Sequence, residues 1–576
     1  MSNILGINTS HAGSSAALVI DGQPVFAIAE ERLNRVKYYA GFPKLAIQEC
    51  LSHSGLTWAD IDYIAIGREP SANKAEKVKY TLKNPMKIPS LLKIKANRAE
   101  LSDLRSVIIK EFNLSETDLK FKQINVEHHL AHIASAYYPS GYDHSAGISI
   151  DGSGDFVTCM MAECKDGNIE VKKRIFVPHS LGALYTMICQ FVGYDRYGDE
   201  GKVMGLAPLG NHAYKEIFDD MVFLDEDGFR LNLDYFNPFG TSEGFTIDED
   251  GYTVLATHYS DKMIEIFGAP RKRNEEITQR DMDLAFSLQC LFEKVYMHLL
   301  KILEHHVPNE NLVMAGGCAL NSVANGKLFD HTNFKNTFIQ PASGDDGLAL
   351  GAALYVSQST LKEKKTEKML NSYLGNEFED AQIEQNLKEL GVPYQKLTQE
   401  EMIDKVSDNL VNGEIIGWFQ GRMEWGPRAL GSRSIIAHPG FPNMKDILNA
   451  RIKHRESFRP FAPAILEEYQ NDIFEKEHPS PFMLHVYKIR EKWRSKLTAV
   501  THTDNTGRLQ TVNRVENQLY YDLIKKFNEK SGVPVIINTS FNENEPIVCD
   551  PKEAIDCYMR TKMDCLSIGS FYCSKK

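Results

Sequence analysis

Short apolar runs open the chain: NILGIN, SAALVIDG and PVFAIAEERL read as three strands, the last two joined by a turn at Asp21-Gly22. The stretch FPKLAIQECLSHSG spaces its apolar residues as a helix, and DIDYIAIGRE reads as a further strand. The pattern then returns. SAGISIDGSG, DFVTCMMAECKDG and NIEVKKRIFV form a second set of three strands after an intervening helix. Two copies of strand–strand–strand with helices between them predict an α/β fold built as a duplicated domain with a cleft between its halves. Glycine turns after the first strand of each copy would present backbone N–H groups to phosphates.

Between the copies, residues from about 69 to 120 are rich in Lys, Leu and Ile at helical spacing and are expected to form a helical insertion. Its basic face is read as the solvated side of helices capping the cleft. The apolar helix LALGAALYVSQ is followed by the polar stretch LKEKKTEKMLNS, which marks a linker. The expected layout is a first domain over 1–360, a linker region over 361–395 and a second α/β domain over 396–576.

At 576 residues the chain exceeds a single core and should divide into two or three domains. A formal net charge of -12 argues against a nucleic-acid surface, which needs clustered Lys and Arg. No apolar run is long enough to span a bilayer, and MSNILGINTSH lacks the basic and apolar regions of a signal peptide, so a cytoplasmic protein with no membrane partner is expected. The ten cysteines form no CxxC pair. Cys549, Cys557, Cys565 and Cys573 recur every eight residues across mixed helix and strand, a spacing that does not make them converge; they are read as reduced and buried.

Candidate chemistry begins at HHLAH. On a helix, His128 and His132 project from one face and can bind one metal ion, and Asp151 emerges at the end of the strand HSAGISIDG. An HxxxH pair alone is a weak sign, since surface or core histidines produce it too. Two imidazoles and a carboxylate suit a divalent transition metal with positions left open for substrate. Asp345, in PASGDDGLALGAAL, stands before a helix as a further ligand. Lys202 lies in the glycine-rich YGDEGKVMGLAPLG. Gly316, Gly317 and Asn321 follow a strand in LVMAGGCALNSVANGKL, where the backbone can approach a ribose or phosphate. In the second domain Arg422, Arg428 and Arg433 stand among glycines, followed by Lys453, Arg455, Arg459, Arg508, Asn538 and Ser540. Basic residues interleaved with Gly, Pro and aromatic residues read as loops that hold a phosphate or carboxylate.

The order of the glycine turns resembles the actin-like ATPase plan. The motifs HHLAH, DEGKVMGLAP, GGCALN, GRMEWGPRALGSRSI, ESFRPFAP and NTSFNENEPIV resemble those of the ATP-dependent O-carbamoyltransferases that decorate antibiotics, nodulation factors and toxins. The resemblance runs from the first strand to near the C-terminus. It implies a first domain on the actin-like ATPase (ASKHA) fold, similar to the tRNA threonylcarbamoyl transferase, and a YrdC-like second domain. It also implies that the carbamoyl group of carbamoyl phosphate is joined to AMP from ATP, with release of pyrophosphate. The carbamoyl adenylate would then be attacked by a hydroxyl of a small natural-product acceptor. By the same resemblance His128, His132, Asp151 and Asp345 hold the metal, expected to be iron(II), and Lys202, Gly316, Gly317 and Asn321 line the nucleotide. Arg428, Lys453, Arg459, Arg508, Asn538 and Ser540 hold carbamoyl phosphate and the adenylate.

His11 is the expected general base for the hydroxyl proton. Here the chain reads His11-Ala12-Gly13-Ser14-Ser15, one residue longer than the family's His-Asp pattern and without the Asp. A monomer or homodimer is expected. Two rival functions use the same elements: tRNA threonylcarbamoyladenosine synthesis, and a non-enzymatic actin-like module that binds ATP.

Overall fold

The computed structural model describes residues 2–84, 103–237, 253–456, 458–459 and 461–575, together with the backbone of 245–247. Much of the expected insertion (85–102) lies outside them. The described part of that insertion includes the helix Lys74–Lys83, which buries none of its residues, as a solvated helix should. The chain divides into two units, Met1–Lys368 and Met369–Lys576.

In the first unit, β1 (Asn3–Asn8), β2 (Ser15–Ile20) and β3 (Gln23–Ala29) form an antiparallel meander. The strand β4 (Tyr63–Ile66) adds parallel to β1, and β5 (Lys122–Asn125) adds parallel to β4. The second half repeats this plan. The strands β6 (His144–Gly154), β7 (Val157–Lys165) and β8 (Asn168–Phe176) are antiparallel neighbours, and strand Asn311–Ala315 adds parallel to β6 with Asn336–Ile339 beyond it. Both sheets have the order expected of a duplicated actin-like ATPase fold.

One small-residue helix fixes how the halves approach. Helix Leu348–Tyr355 (LALGAALY) is buried over nearly all its length. A Cβ on Gly351 would stand 1.9 Å from the carbonyl oxygen of Ala131, and one on Gly6 would stand 1.9 Å from that of Ala349. The two glycines therefore let this helix touch both the histidine helix His128–Tyr137 and β1 at backbone distance. Asp345, three residues before the helix, is carried to the same place.

The boundary between the two units falls inside the expected linker region, 361–395. Residues through Lys368 pack with the first unit; Thr366 Oγ1, for example, donates to the Gly22 carbonyl at 2.8 Å. From Met369 the chain belongs to the second unit, and helix Asp380–Glu389 sends Ile383 and Leu387 into its core beside Trp418 and Ile568. That core lies on a nine-stranded mixed sheet, in which Ile416–Phe419, Arg433–Ala437, Val535–Ser540, Ala462–Leu466 and Thr506–Val512 run consecutively through the centre. Nine of the ten cysteines are buried and Cys290 is half-buried. Among the described residues no helix is long and apolar enough to cross a membrane.

Candidate active site

The histidine helix begins where Asp155, in the turn after β6, accepts a hydrogen bond from the His128 amide at 2.9 Å. A carboxylate at a helix start answers an otherwise unmet N–H and the helix dipole. His129 faces the other way. Its Nε2 lies 2.9 Å from the Val157 carbonyl and its Nδ1 2.9 Å from Ser149 Oγ, so it pins the helix to β6 and β7. That rotation leaves His128 and His132 pointing together, with their Nε2 atoms 3.2 Å apart.

Two carboxylates close the group. Asp151 Oδ2 is 3.3 Å from His128 Nε2 and 3.6 Å from His132 Nε2, and Asp345 Oδ1 is 3.5 Å from each. One ligand atom from each of the four residues lies within 4.8 Å of all the others. Ligands held about 2.1 Å from one ion stand about 3 to 4.2 Å apart, so a small inward movement completes the set. Asp345 Oδ1 is buried and has no hydrogen-bond partner among the described residues. A buried anionic oxygen left in that state is costly, and a divalent cation removes the cost. The donor set and its orphaned oxygen therefore fit a divalent transition metal.

The electrostatics agree. Burial and the charge of Asp151 raise the Asp345 pKa, but the neighbouring imidazoles of His11 and His132 outweigh them and hold it down to about 2. Burial alone would depress His132, yet Asp151 and Asp345 raise it to about 9. His11, beyond β1, places Nδ1 3.1 Å from Asp345 Oδ2, and burial lowers its pKa against the pull of that carboxylate. His11 and Asp345 keep 19% and 14% of their side-chain surface exposed, enough for a ligand to reach them.

The nucleotide-loop residues divide. Gly316 has φ 88°, and a Cβ there would sit 2.3 Å from the Ile150 carbonyl oxygen, so only glycine allows this approach to β6. The Gly317 amide donates to Asp151 Oδ1 at 3.0 Å, which orients that carboxylate. Asn321 departs from expectation. Its Oδ1 accepts from the Ala324 amide and from Gln289, and its Nδ2 donates to Gln289, so the carboxamide caps helix Ser322–His331. Lys202 lies in helix Glu200–Leu206 rather than in an open glycine turn, paired to Asp199 at 2.6 Å.

In the second unit the basic residues also separate into two kinds. Arg433 is fully buried and donates to the carbonyls of Gln420, Gly421, Ser432 and Asn376, while Arg422 donates to those of Leu374 and Gly375. These two are structural. Lys453 also holds the protein's own backbone: its buried ammonium donates to the carbonyls of Ser540 and Asn542 and to Asn542 Oδ1, at 2.6 to 2.8 Å, which holds the loop after strand Val535–Ser540. Ser540 Oγ in turn lies 2.8 Å from Asn542 Oδ1.

Arg508 is different. Burial, and then the charges of Arg428, Arg455 and Arg459, push its guanidinium well below its usual range, and its Nε is buried with no partner among the described residues. Asn538 donates to Gln510 and to the Ala429 carbonyl, leaving its buried Oδ1 unpartnered. Guanidiniums that crowd Arg508, with unmet polar atoms on Arg508 and Asn538, make an arrangement that suits an anion. Arg455, which the loop pattern pointed to and the family resemblance did not, belongs to this group. Burial and Arg459 lower its pKa to about 9, and it lies over the Phe461 ring at 4.6 Å. In the first unit the residues missed are Asp155 and Arg68; the latter follows the end of β4 as the lone basic residue of DIDYIAIGRE.

Comparison with known proteins gives consistent matches. The family described as Carbamoyltransferase N-terminus matches residues 3–354, and the one described as Carbamoyltransferase C-terminus matches residues 407–575. The chain is 39% identical to an uncharacterized protein of Synechocystis sp., over 100% of this chain and 97% of that one. It is 37% identical to nodulation protein NolNO of Sinorhizobium fredii, over 99% of this chain and 80% of that protein. Nodulation protein NolO of Bradyrhizobium diazoefficiens is also 37% identical, over 78% of this chain and 79% of its own length. Among solved structures, the activator of 2-hydroxyisocaproyl-CoA dehydratase from Clostridium difficile aligns at 12% identity with a TM-score of 0.31, over 62% of this chain and 96% of that one.

Proposed function

The chain belongs to the carbamoyltransferase family, and we propose that it moves a carbamoyl group from carbamoyl phosphate, through ATP-derived carbamoyl adenylate, to a hydroxyl of a small natural-product acceptor. One observation carries the reading: the chain pairs a buried two-histidine, two-carboxylate cluster in its first unit with a four-arginine anion site in its second. A non-enzymatic ATP-binding module has no use for either. A tRNA-modifying enzyme would need a basic surface, and the net charge is -12.

In the second unit Arg428, Arg455, Arg459 and Arg508 neutralise the phosphate of carbamoyl phosphate. Asn538 Oδ1, an acceptor, suits the carbamoyl NH2, which only donates. Water cleaves carbamoyl phosphate to carbamate and phosphate, and a carbamate oxygen displaces pyrophosphate from the α-phosphorus of ATP to give the adenylate.

In the first unit His128, His132, Asp151 and Asp345 would hold a divalent metal, iron(II) by family resemblance, and such an ion supplies Lewis-acid polarisation. His11, neutral at pH 7 because burial lowers its pKa, accepts the proton of the acceptor hydroxyl. The hydroxyl oxygen bonds to the carbamoyl carbon, and AMP leaves with the electrons of the broken C–O bond. Asp345, hydrogen-bonded to His11 Nδ1, fixes the imidazole so that Nε2 is the basic atom.

The test is incubation with carbamoyl phosphate, ATP and a panel of hydroxylated natural-product precursors, read by mass spectrometry. Gain of one carbamoyl group in place of a hydrogen supports the reading. Turnover that instead requires threonine and bicarbonate rejects it.

A further inference from the structure

At the end of β4 the chain turns through Gly67, where a Cβ would meet Leu348 Cβ at 2.8 Å. Because β4 runs parallel to β1, Arg68 leaves the sheet at the same edge as the loop that carries His11. The next amide, that of Glu69, donates to Asp155 Oδ2 at 2.7 Å, the oxygen that also receives the His128 amide. A single carboxylate thus ties the Arg68 loop to the turn after β6 and to the first turn of the metal-ligand helix.

The guanidinium itself is unmet. Arg68 is half-buried, its Nη1 is fully buried, and among the described residues no hydrogen bond or ion pair reaches the side chain. Its charge is felt at His11, and the charges of Asp155 and Asp345 are felt at Arg68. A guanidinium carries five donors, and leaving them unsatisfied away from water is costly unless a ligand takes them. Arg68 stands where the turn after β1 and the turn after β6 converge, the two places a duplicated fold of this type offers to phosphates.

Resting on the carbamoyl adenylate reading above, we propose that Arg68 is a substrate-binding residue that grips the phosphate of the nucleotide beside the His128, His132, Asp151 and Asp345 cluster. The flat fork of Arg meets two phosphate oxygens at once, which a lysine cannot do.

The experiment compares AMP with adenosine by calorimetric titration of the full-length protein. A background Arg508→Ala substitution silences the anion site of the second unit. In Arg68→Gln, AMP binding is expected to weaken about ten- to a hundred-fold, the range for a charge-assisted hydrogen bond, while adenosine binding stays unchanged. Arg68→Lys is expected to fall between. Because Arg68 has no partner to lose, neither substitution should lower the thermal unfolding midpoint. Equal weakening of AMP and adenosine overturns the proposal in favour of a structural role, as does an unchanged AMP affinity. If Arg68→Gln does not fold, the ratio of AMP to adenosine affinity in Arg68→Lys decides, and an unchanged ratio overturns the proposal. If the protein with native Arg68 binds neither compound, the adenylate reading itself falls and takes Arg68's role with it; loss confined to the Arg68 variants leaves that reading standing.

Discussion

Gly154→Ala should abolish metal binding without touching a ligand. The substituted Cβ would lie 2.0 Å from His128 Cγ, 2.1 Å from Cδ2 and 2.4 Å from Nδ1. Ordinary carbon contacts begin near 3.5 Å, so the imidazole would have to retreat by about 1.5 Å. Metal sites tolerate ligand displacements of only about 0.2 Å. His128 cannot retreat freely, because its amide is held by Asp155 and its neighbour His129 is bonded on both ring nitrogens. The stability cost should be that of modest overpacking, about 1–3 kcal/mol, so the variant should fold. Gly152→Ala is the control from the same strand, since a Cβ there meets nothing within 4 Å. The assay is metal content after anaerobic reconstitution with Fe(II), alongside a thermal scan. Full metal occupancy in Gly154→Ala would refute the reasoning, as would equal loss in Gly152→Ala.

Other consequences are as direct. His128→Ala and His132→Ala should each lose the metal and acceptor carbamoylation, checked by elemental analysis and product formation. Arg508→Ala should raise the KM for carbamoyl phosphate about ten- to a hundred-fold without loss of stability, because its guanidinium is repelled by three neighbours. Arg433→Met should do the opposite, destabilising the protein by about 1–3 kcal/mol in chemical denaturation as four carbonyls lose their donor. His129 supplies a pH test. Burial lowers its pKa to about 3, so below pH 6.5 the unfolded chain binds a proton that the native state refuses, and stability falls as pH falls from 6.5 towards 3. The slope is about 1.4 kcal/mol per pH unit for one such group. Denaturation at pH 7.5 and 5.5 should show this loss in the wild type and not in His129→Asn.

The convergence of His128, His132, Asp151 and Asp345 was legible because each sits at a position that pattern alone exposes: i and i+4 on one helix, the end of a buried strand, the start of an apolar helix. The duplication was legible for the same reason. Helix Asp380–Glu389, inside the expected linker region, is hard to read from the sequence because it buries only Ile383 and Leu387, an i, i+4 pair too sparse to stand out in a polar stretch. Asn321 and Lys453 show a second limit. Residue type and neighbouring glycines suggest ligand contact, but whether a polar side chain faces a ligand or caps its own backbone depends on groups such as Gln289 and Asn542, far away in sequence. Arg68 was passed over because one arginine after a strand is unremarkable until its lack of a partner is seen.

The central claim, carbamoyl transfer through an adenylate, is tested most directly by the nucleotide left after a single turnover with ATP, carbamoyl phosphate and an acceptor. AMP and pyrophosphate are expected, formed only when carbamoyl phosphate is present and, in Arg508→Ala, only at correspondingly higher carbamoyl phosphate concentrations. Formation of ADP with phosphate, or AMP formation supported equally well without carbamoyl phosphate, would contradict it.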